Sequence, residues 1–316
     1  MNPLSFVDYQ PNPALDTELA ALAYACLRGW PDQRPITAAL VRSRLHPIGH
    51  APATTLGLHH DDHGALTAAA AIRWPTGTGD VGRIWGPLVH PTTQRNGLGR
   101  ALLDGILTVA GTIGERITTA EIPATRLHGC ALFHTAGWTL SDNAALLRCS
   151  LPLPQADYPG LRFRHPRPDE NIRDVVAKLY HLTYPGAAPD ISAHTLARWS
   201  QDERFQPCSL TLAEDDQRTV AIALVYPLAH THPDEPAEAL LGDILIHPDA
   251  YDETLLRQAL IAHALNSASP QASIGRFITT DLRLAGTLTQ SGFRLIDTIL
   301  RYKPGHRGVT PAGPVT

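Results

Sequence analysis

A chain of 316 residues exceeds the usual size of one domain, so its length favours two domains of about 150 residues each. Its 43% hydrophobic and 18% charged residues are typical of a globular protein, and a net charge of -4 without a Lys/Arg run argues against a nucleic-acid-binding protein. No stretch reaches 18 uninterrupted apolar residues and the N-terminus lacks a basic segment followed by an apolar one, so the sequence predicts a soluble, cytoplasmic protein that does not bind membranes.

The chain repeats itself once along its length. The run Leu88–Pro91 (LVHP) aligns with Leu245–Pro248 (LIHP), and a helical pattern follows each run. Three further pairs occur in the same order: Trp30-Pro31 with Tyr184-Pro185, Asp61-Asp62 with Asp215-Asp216, and Gly137-Trp138 with Gly292-Phe293. The repeat predicts an N-terminal domain at 1–152, a proline-rich linker at 153–160, a C-terminal domain at 161–304 and a flexible tail at 305–316.

Each half shows the same predicted order: strand, helices, hairpin, strand, helix, strand, helix and a strand pair. Leu66–Trp74 is alanine-rich and suits a helix by propensity alone. Its repeat partner Thr219–Tyr226 is a β-branched run of strand length, so we predict strands at both positions. The expected fold class is α/β (α+β), with a mixed, mostly antiparallel sheet flanked by helices in each half.

The loop after the predicted strand Ile84–Val89 has the composition of an anion site. It reads Gln94-Arg95-Asn96-Gly97-Leu98-Gly99 and leads into a helix, whose N-terminus offers unpaired N–H groups and the positive end of the helix dipole. The two glycines leave room for a phosphate to reach the backbone, and Arg95 and Arg100 add positive charge. A glycine pair alone is more typical of a strand-to-helix turn without a ligand.

Gln94–Gly99, followed by Arg100-Ala101-Leu102, resembles the acyl-CoA motif of the GNAT N-acyltransferase superfamily. The segment Cys130–Trp138 is similar to the family's later helix, and both halves together resemble the tandem-GNAT proteins of the mycothiol synthase type. The resemblance implies acetyl-CoA as co-substrate, with a strand end that splays from its neighbour and hydrogen-bonds the pantetheine. The implied cofactor-binding residues are Leu88, Val89, Gln94, Arg95, Asn96, Gly97, Leu98, Gly99, Arg100, Ala101 and Phe133.

The second half has lost the residues of this loop. The aligned residues are Tyr251, Asp252, Glu253, Thr254, Leu255 and Leu256. Both glycines are absent, and two carboxylates stand where phosphates would have to approach, so like charges would repel. We therefore expect the second half to keep the fold and to lose pyrophosphate binding.

Transfer of an acyl group to an amine needs a base for the amine and an acid for the departing thiolate. The resemblance places the family's tyrosine acid at Phe133, whose ring cannot donate a proton. His134 is adjacent and is the candidate acid, or else a surface histidine. Glu121, in the predicted strand Ile117–Ile122, is the candidate base, or else a strand-end carboxylate in solvent; Asp80 is a weaker candidate.

The cluster His59-His60-Asp61-Asp62-His63 has the composition of a metal site. Its repeat partner Ala213–Gln217 carries no histidine, and Asp-Asp before His63-Gly64 suits a hairpin turn, so no metal is predicted. The four scattered cysteines form no C-x-x-C pair, and neither they nor any serine form a nucleophile motif.

These observations together predict an N-acetyltransferase that moves an acetyl group from acetyl-CoA to a primary amine of a small molecule. Without a nucleophile motif, direct attack in a ternary complex is the expected route. Two alternatives stay open: an acyl-CoA-binding pseudoenzyme or regulatory module, and an acyl-CoA enzyme with a non-amine acceptor.

Overall fold

The computed structural model describes residues 2–33, 36–46, 54–73, 82–111, 118–155, 158–186, 189–200, 202, 204–228, 237–250, 253–268 and 271–305. The chain forms two compact units: unit one comprises Met1–Asn143 with Asp297–Thr316, and unit two comprises Ala144–Ile296. Among the described residues, no helix is both long enough and apolar enough to cross a lipid bilayer.

Unit one combines a strand layer with helices. Its strands are β1 (Ser5–Asp8), β2 (Thr54–His60), β3 (Leu66–Arg73), β4 (Gly82–Val89), β5 (Thr118–Pro123), the part of β6 (Trp138–Ser150) that precedes Ala144 and the part of the C-terminal strand β12 (Arg294–Pro304) that follows Ile296. Its helices are α1 (Pro13–Cys26), α2 (Ala38–Leu45), α3 (Leu98–Gly111) and α4 (Leu127–Thr135).

The strands β1-β2-β3-β4-β5-β12 follow one another in this order in the sheet; the β4–β5 pairing is parallel, and the β1–β2, β2–β3, β3–β4 and β5–β12 pairings are antiparallel. One apolar face packs on α3 and α4 through residues such as Leu102, Ile106 and Phe133. The other face packs on α1 and α2 through residues such as Leu19 and Val41. Side chains that alternate along a strand therefore point to two different helical layers.

Unit two repeats this plan with its own elements. Its strands are the second part of β6 (Trp138–Ser150), β7 (Arg162–Arg164), β8 (Leu210–Glu214), β9 (Thr219–Leu228), β10 (Ala237–Ile246) and β11 (Ala272–Thr279). Its helices are α5 (Arg173–Thr183), α6 (Pro189–Ala193), α7 (Thr195–Ser200), α8 (Glu253–Ala268) and α9 (Leu282–Gln290). The strand order is β7-β8-β9-β10-β11-β6, with apolar cores on both faces.

The expected fold class is confirmed, and β3 and β9 confirm the two predicted strands as far as Arg73 and Leu228. The compact units do not coincide with the expected contiguous domains 1–152 and 161–304. The reason is that β5 pairs with β12 and β11 pairs with β6, so each half of the chain supplies the last strand of the other unit's sheet. The predicted final strand pair of each half is thus a single long strand, and the tail from 306 onward lies outside the described residues.

Candidate functional site

A bulge interrupts β4 just before its end. The register of its antiparallel pairing with β3 shifts between Ala69 and Ala71, so Gly86 and Pro87 together lie opposite a single residue. Gly86 has φ +89°, and a Cβ there would lie 2.8 Å from the backbone nitrogen of Leu88. Only glycine fits this position without displacing the backbone, so the bulge depends on Gly86.

β4 and β5 separate at their carboxyl ends. Their parallel pairing joins Gly82–Ile84 to Thr118–Ala120 and, within the described residues, goes no further along β4. The backbone nitrogen of His90 donates to Thr67 on β3, so the N–H and C=O of Val89 point away from β3 and into the opening. The opening therefore starts before Leu88-Val89, the segment that the family resemblance predicts to bind pantetheine.

The loop between β4 and α3 folds into a concave backbone turn. Gly97 has φ +79°, and Arg95, at φ +67°, is the one described non-glycine residue in the left-handed region. Such a conformation costs a non-glycine residue roughly 1–3 kcal/mol, and strain of this kind concentrates at ligand sites. A Cβ on Gly97 would meet nothing within 4 Å, so its surroundings are open.

Unpaired donors line this turn. None of the described residues accepts a hydrogen bond from the backbone N–H groups of residues 95–100; the first bond of α3 runs from Ala101 to Gly97. Exposed N–H groups at a helix N-terminus, next to left-handed residues, form an anion-binding cavity. The exposed Arg95 lies in the same turn, whereas Arg100 is held by Asp104 at 2.7 Å and by the carbonyl of Thr135 at 3.0 Å.

The carbonyl oxygen of Val89 already has two donors. The Gln94 amide donates to it at 3.0 Å, and the Cys26 thiol at the end of α1 donates at 3.2 Å. Burial raises the pKa of Cys26 to about 11, so this thiol stays protonated and acts as a donor rather than a nucleophile. Gln94 thus fixes the loop to the strand, and its amide is not directed at the free N–H groups.

An aromatic cluster lies in the core on the α3 and α4 side of the sheet. Phe133 is 1% exposed. Its ring stacks on that of Tyr302 of β12, with 5.7 Å between the ring centroids, and meets the Trp138 ring edge-on, with 5.0 Å between the centroids. Its ring supports the site from within the core. The Tyr302 hydroxyl is hydrogen-bonded to Cys130, and burial raises the pKa of Tyr302. Tyr302 therefore brings a protonated hydroxyl next to Phe133, the position where the family resemblance expects a tyrosine. The sequence analysis did not identify Tyr302 as a candidate.

The two candidate catalytic side chains lie in different surroundings. Glu121 sits between the core residues Ala120 and Ile122 of β5, so its side chain points to the opposite face of the sheet from Phe133. Its Oε1 accepts from Arg301 at 2.9 and 3.2 Å, while Oε2 has no donor among the described residues. His134 is exposed on α4, with its ring 6.3 Å from that of Tyr302.

A second carboxylate of unit one, Asp297 of β12, is bonded to Trp30 and to Thr125. Its Oδ2 accepts from the Trp30 indole at 2.7 Å and from the Thr125 hydroxyl at 2.5 Å, and its Oδ1 accepts from the backbone of Thr298 at 2.7 Å. The residue is 5% exposed. Both oxygens are therefore saturated, which is the arrangement of a structural carboxylate.

The equivalent turn in unit two offers no such anion cavity in its described part. Glu253 occupies the first turn of α8, where its own carboxylate complements the helix dipole, and Arg257 donates to it. Leu256 is buried where unit one has the partly exposed Gly99. Tyr251 and Asp252 lie outside the described residues, as does Asp80 in unit one.

The histidine cluster at the β2–β3 hairpin is explained by turn chemistry. Asp61 Oδ1 accepts from the backbone nitrogens of His63 and Ala65, both at 2.9 Å, and the His59 ring contacts the Thr67 hydroxyl at 2.7 Å. Within the part of the chain that the structure describes, no group of three or more His, Cys, Asp or Glu side chains is placed to hold a metal ion.

Comparison with known proteins gives one family and a set of similar structures. Residues 18–138 match the model of the Acetyltransferase (GNAT) family. A GCN5-related N-acetyltransferase from Sphaerobacter thermophilus aligns over 95% of this chain and 96% of its own, with a TM-score of 0.73 and 15% identity. A tandem GNAT protein from the clavulanic acid biosynthesis pathway aligns over 95% of this chain and 98% of its own, with a TM-score of 0.69 and 21% identity. No curated protein matches the sequence.

Proposed function

Because residues 18–138 belong to the Acetyltransferase (GNAT) family and the chain has the tandem-GNAT fold, we propose that it transfers an acetyl group from acetyl-CoA to a primary amine of a small molecule. The observation that carries the proposal is the row of backbone N–H groups at residues 95–100, none of which has an acceptor among the described residues. A pyrophosphate supplies the acceptors that these donors lack.

The cofactor in this proposal follows the edge of β4. The pyrophosphate binds at Gln94–Ala101, with the exposed Arg95 in the same turn as a cation, and the pantetheine runs along Leu88-Val89 into the opening. The thioester then lies at the bulge formed by Gly86 and Pro87. To accept a hydrogen bond from the pantetheine, the Val89 carbonyl oxygen exchanges one of its two present donors, the Gln94 amide or the Cys26 thiol, for a pantetheine N–H.

The chemistry is a direct displacement at the thioester. The amine nitrogen attacks the carbonyl carbon, a C–N bond forms, and collapse of the tetrahedral intermediate breaks the C–S bond. Glu121 takes the proton of the incoming ammonium through Oε2, the oxygen that Arg301 leaves free. The departing thiolate receives a proton from the α4 side of the sheet, where Tyr302 is the buried candidate and His134 the exposed one.

The test combines binding with turnover. Acetyl-CoA affinity is measured by calorimetry, and release of free CoA is followed with a thiol reagent across a panel of primary amines, with acetylated product identified by mass spectrometry. We expect binding at one site per chain and thiol release that depends on the amine. Tight binding without amine-dependent release contradicts the enzyme and favours an acyl-CoA-binding module, and release with a non-amine acceptor contradicts the amine class.

A further inference from the structure

A second bulge interrupts β10 of unit two. The register of its pairing with β9 shifts between Leu241 and Asp243, and Gly242 is the extra residue. A Cβ on Gly242 would lie 2.9 Å from the Tyr226 ring. Pairing of β10 with β11 ends at Leu241 opposite Phe277, within the described residues. The two strands therefore separate as β4 and β5 do in unit one.

The bulge of unit two differs from that of unit one by a carboxylate. The repeat aligns Asp243 with Gly86. Oδ1 of Asp243 accepts from the Tyr184 hydroxyl and from the backbone of Ile244, both at 2.9 Å, while Oδ2 has no donor among the described residues. Burial raises the pKa of this carboxyl in spite of these bonds, so its negative charge is under-compensated.

Asp297 shows what a carboxylate with a purely structural role looks like in this chain. It too is held by the aromatic residue of an aligned pair, since Trp30 aligns with Tyr184. Its two oxygens share four donor groups and it is 5% exposed. Asp243 is only half-buried and keeps one oxygen free, so it retains capacity for a further donor.

Aromatic surface borders the free oxygen of Asp243. Tyr184 is 40% exposed, and its ring packs on Tyr180 at 4.8 Å. The guanidinium carbon of Arg198 lies 5.6 Å from the centroid of the Tyr180 ring. The positive charge of Arg198 lowers the pKa of the Asp243 carboxyl, but burial raises that pKa by more. The ring of Tyr184 and a carboxylate oxygen together present the two features that bind an ammonium group: a π face and an anionic acceptor.

We propose that unit two carries a small-molecule site at the β10 bulge, where Asp243 and Tyr184 bind the primary ammonium group of a ligand. The ammonium donates to Asp243 Oδ2 and lies against the exposed part of the Tyr184 ring. A neutral group of the same shape gains neither the ion pair nor the cation–π contact. The site is independent of acetyl-CoA and of the proposed acetyl transfer in unit one.

The probe is benzylammonium, with benzyl alcohol as its neutral counterpart, titrated by calorimetry into the full chain without acetyl-CoA. We expect benzylammonium to bind at least tenfold more tightly than benzyl alcohol. Asp243→Asn should remove that preference, whereas Glu121→Gln, which alters a carboxylate of unit one, should retain it. A crystal soaked with the amine should show its nitrogen at hydrogen-bond distance from Asp243.

The reverse results overturn the proposal. If the wild-type protein binds benzylammonium and benzyl alcohol with equal affinity, the proposal is wrong. This measurement needs no variant, so it remains decisive if Asp243→Asn fails to fold. Loss of the preference in Glu121→Gln alone, or an amine located only in unit one, assigns the binding to the acceptor site of the proposed function. Since neither readout uses acetyl transfer, an inactive enzyme can still bind the amine at Asp243.

Discussion

The strands β4 and β10 share the same bulged geometry but carry different residues at the bulge. In unit one the bulge carries Gly86 and Pro87, and the helix that follows begins with free backbone N–H groups. In unit two the bulge carries Asp243, and the helix that follows begins with Glu253. Unit one therefore suits an anion beside the strand, and unit two suits a cation. The fold supplies the opening, and a few substitutions decide the sign of the charge that it accepts.

The largest effect is expected from giving the unit-one loop a carboxylate. Gly97→Asp places a negative charge against the pyrophosphate and forces a side chain onto a residue with φ +79°. Acetyl-CoA affinity should fall by at least about 100-fold. Gly64→Asp is the matched control, because Gly64 has φ +81° and open surroundings in the β2–β3 turn. An equal loss in both variants, measured by calorimetry, would show that strain rather than charge is responsible.

The next effect concerns the carboxylate beside the opening of unit one. Glu121→Gln removes the proposed base, so kcat should fall by about 100-fold while acetyl-CoA affinity is kept. Asp142→Asn, which alters the other carboxylate partner of Arg301 at 3.4 Å, should leave kcat within a few-fold of wild type. If steady-state kinetics show the two variants to be equally impaired, the loss of activity comes from the displaced Arg301 side chain, and Glu121 is not the base.

A smaller effect is expected on the acid side. Tyr302→Phe keeps the stack on Phe133 and removes only the hydroxyl, so kcat should drop about tenfold or more without a change in KM for acetyl-CoA. His134→Gln serves as the comparison, since that ring is exposed. If His134→Gln has the larger effect on kcat and on the alkaline limb of the pH profile, the exposed imidazole is the proton donor.

The smallest effect distinguishes the carboxylates Asp297 and Asp243 by stability. Asp297→Asn leaves buried donors facing an amide and should lower the free energy of unfolding by about 1–3 kcal/mol. Asp243→Asn should not. Because the pKa of Asp243 is raised in the folded state, the wild-type protein loses stability as pH rises through that pKa, and an asparagine does not. The melting temperature of Asp243→Asn relative to wild type should therefore rise from about pH 3 to about pH 7. A relative melting temperature that falls over this range contradicts the assignment.

Much of the fold was accessible from the sequence because its signals are local or repeated. The repeat corrected the helical propensity of the alanine-rich β3, and the strand-to-helix position of the loop that holds Gln94 and Gly97 follows from patterns within ten residues. The left-handed conformation of Arg95 had no such signal, since arginine rarely adopts it and the backbone of the loop imposes it.

By itself the sequence determined the two-unit α/β fold and the glycine-rich loop, because hydrophobic periodicity and glycine geometry act over short stretches of chain. Only the tertiary structure decided that β12 completes unit one, and with it Tyr302, Arg301 and Asp297 came to the candidate site. It also paired Tyr184 with Asp243, 59 residues apart. Strand partners and carboxylate donors are chosen by packing between distant segments, and no local pattern encodes that choice.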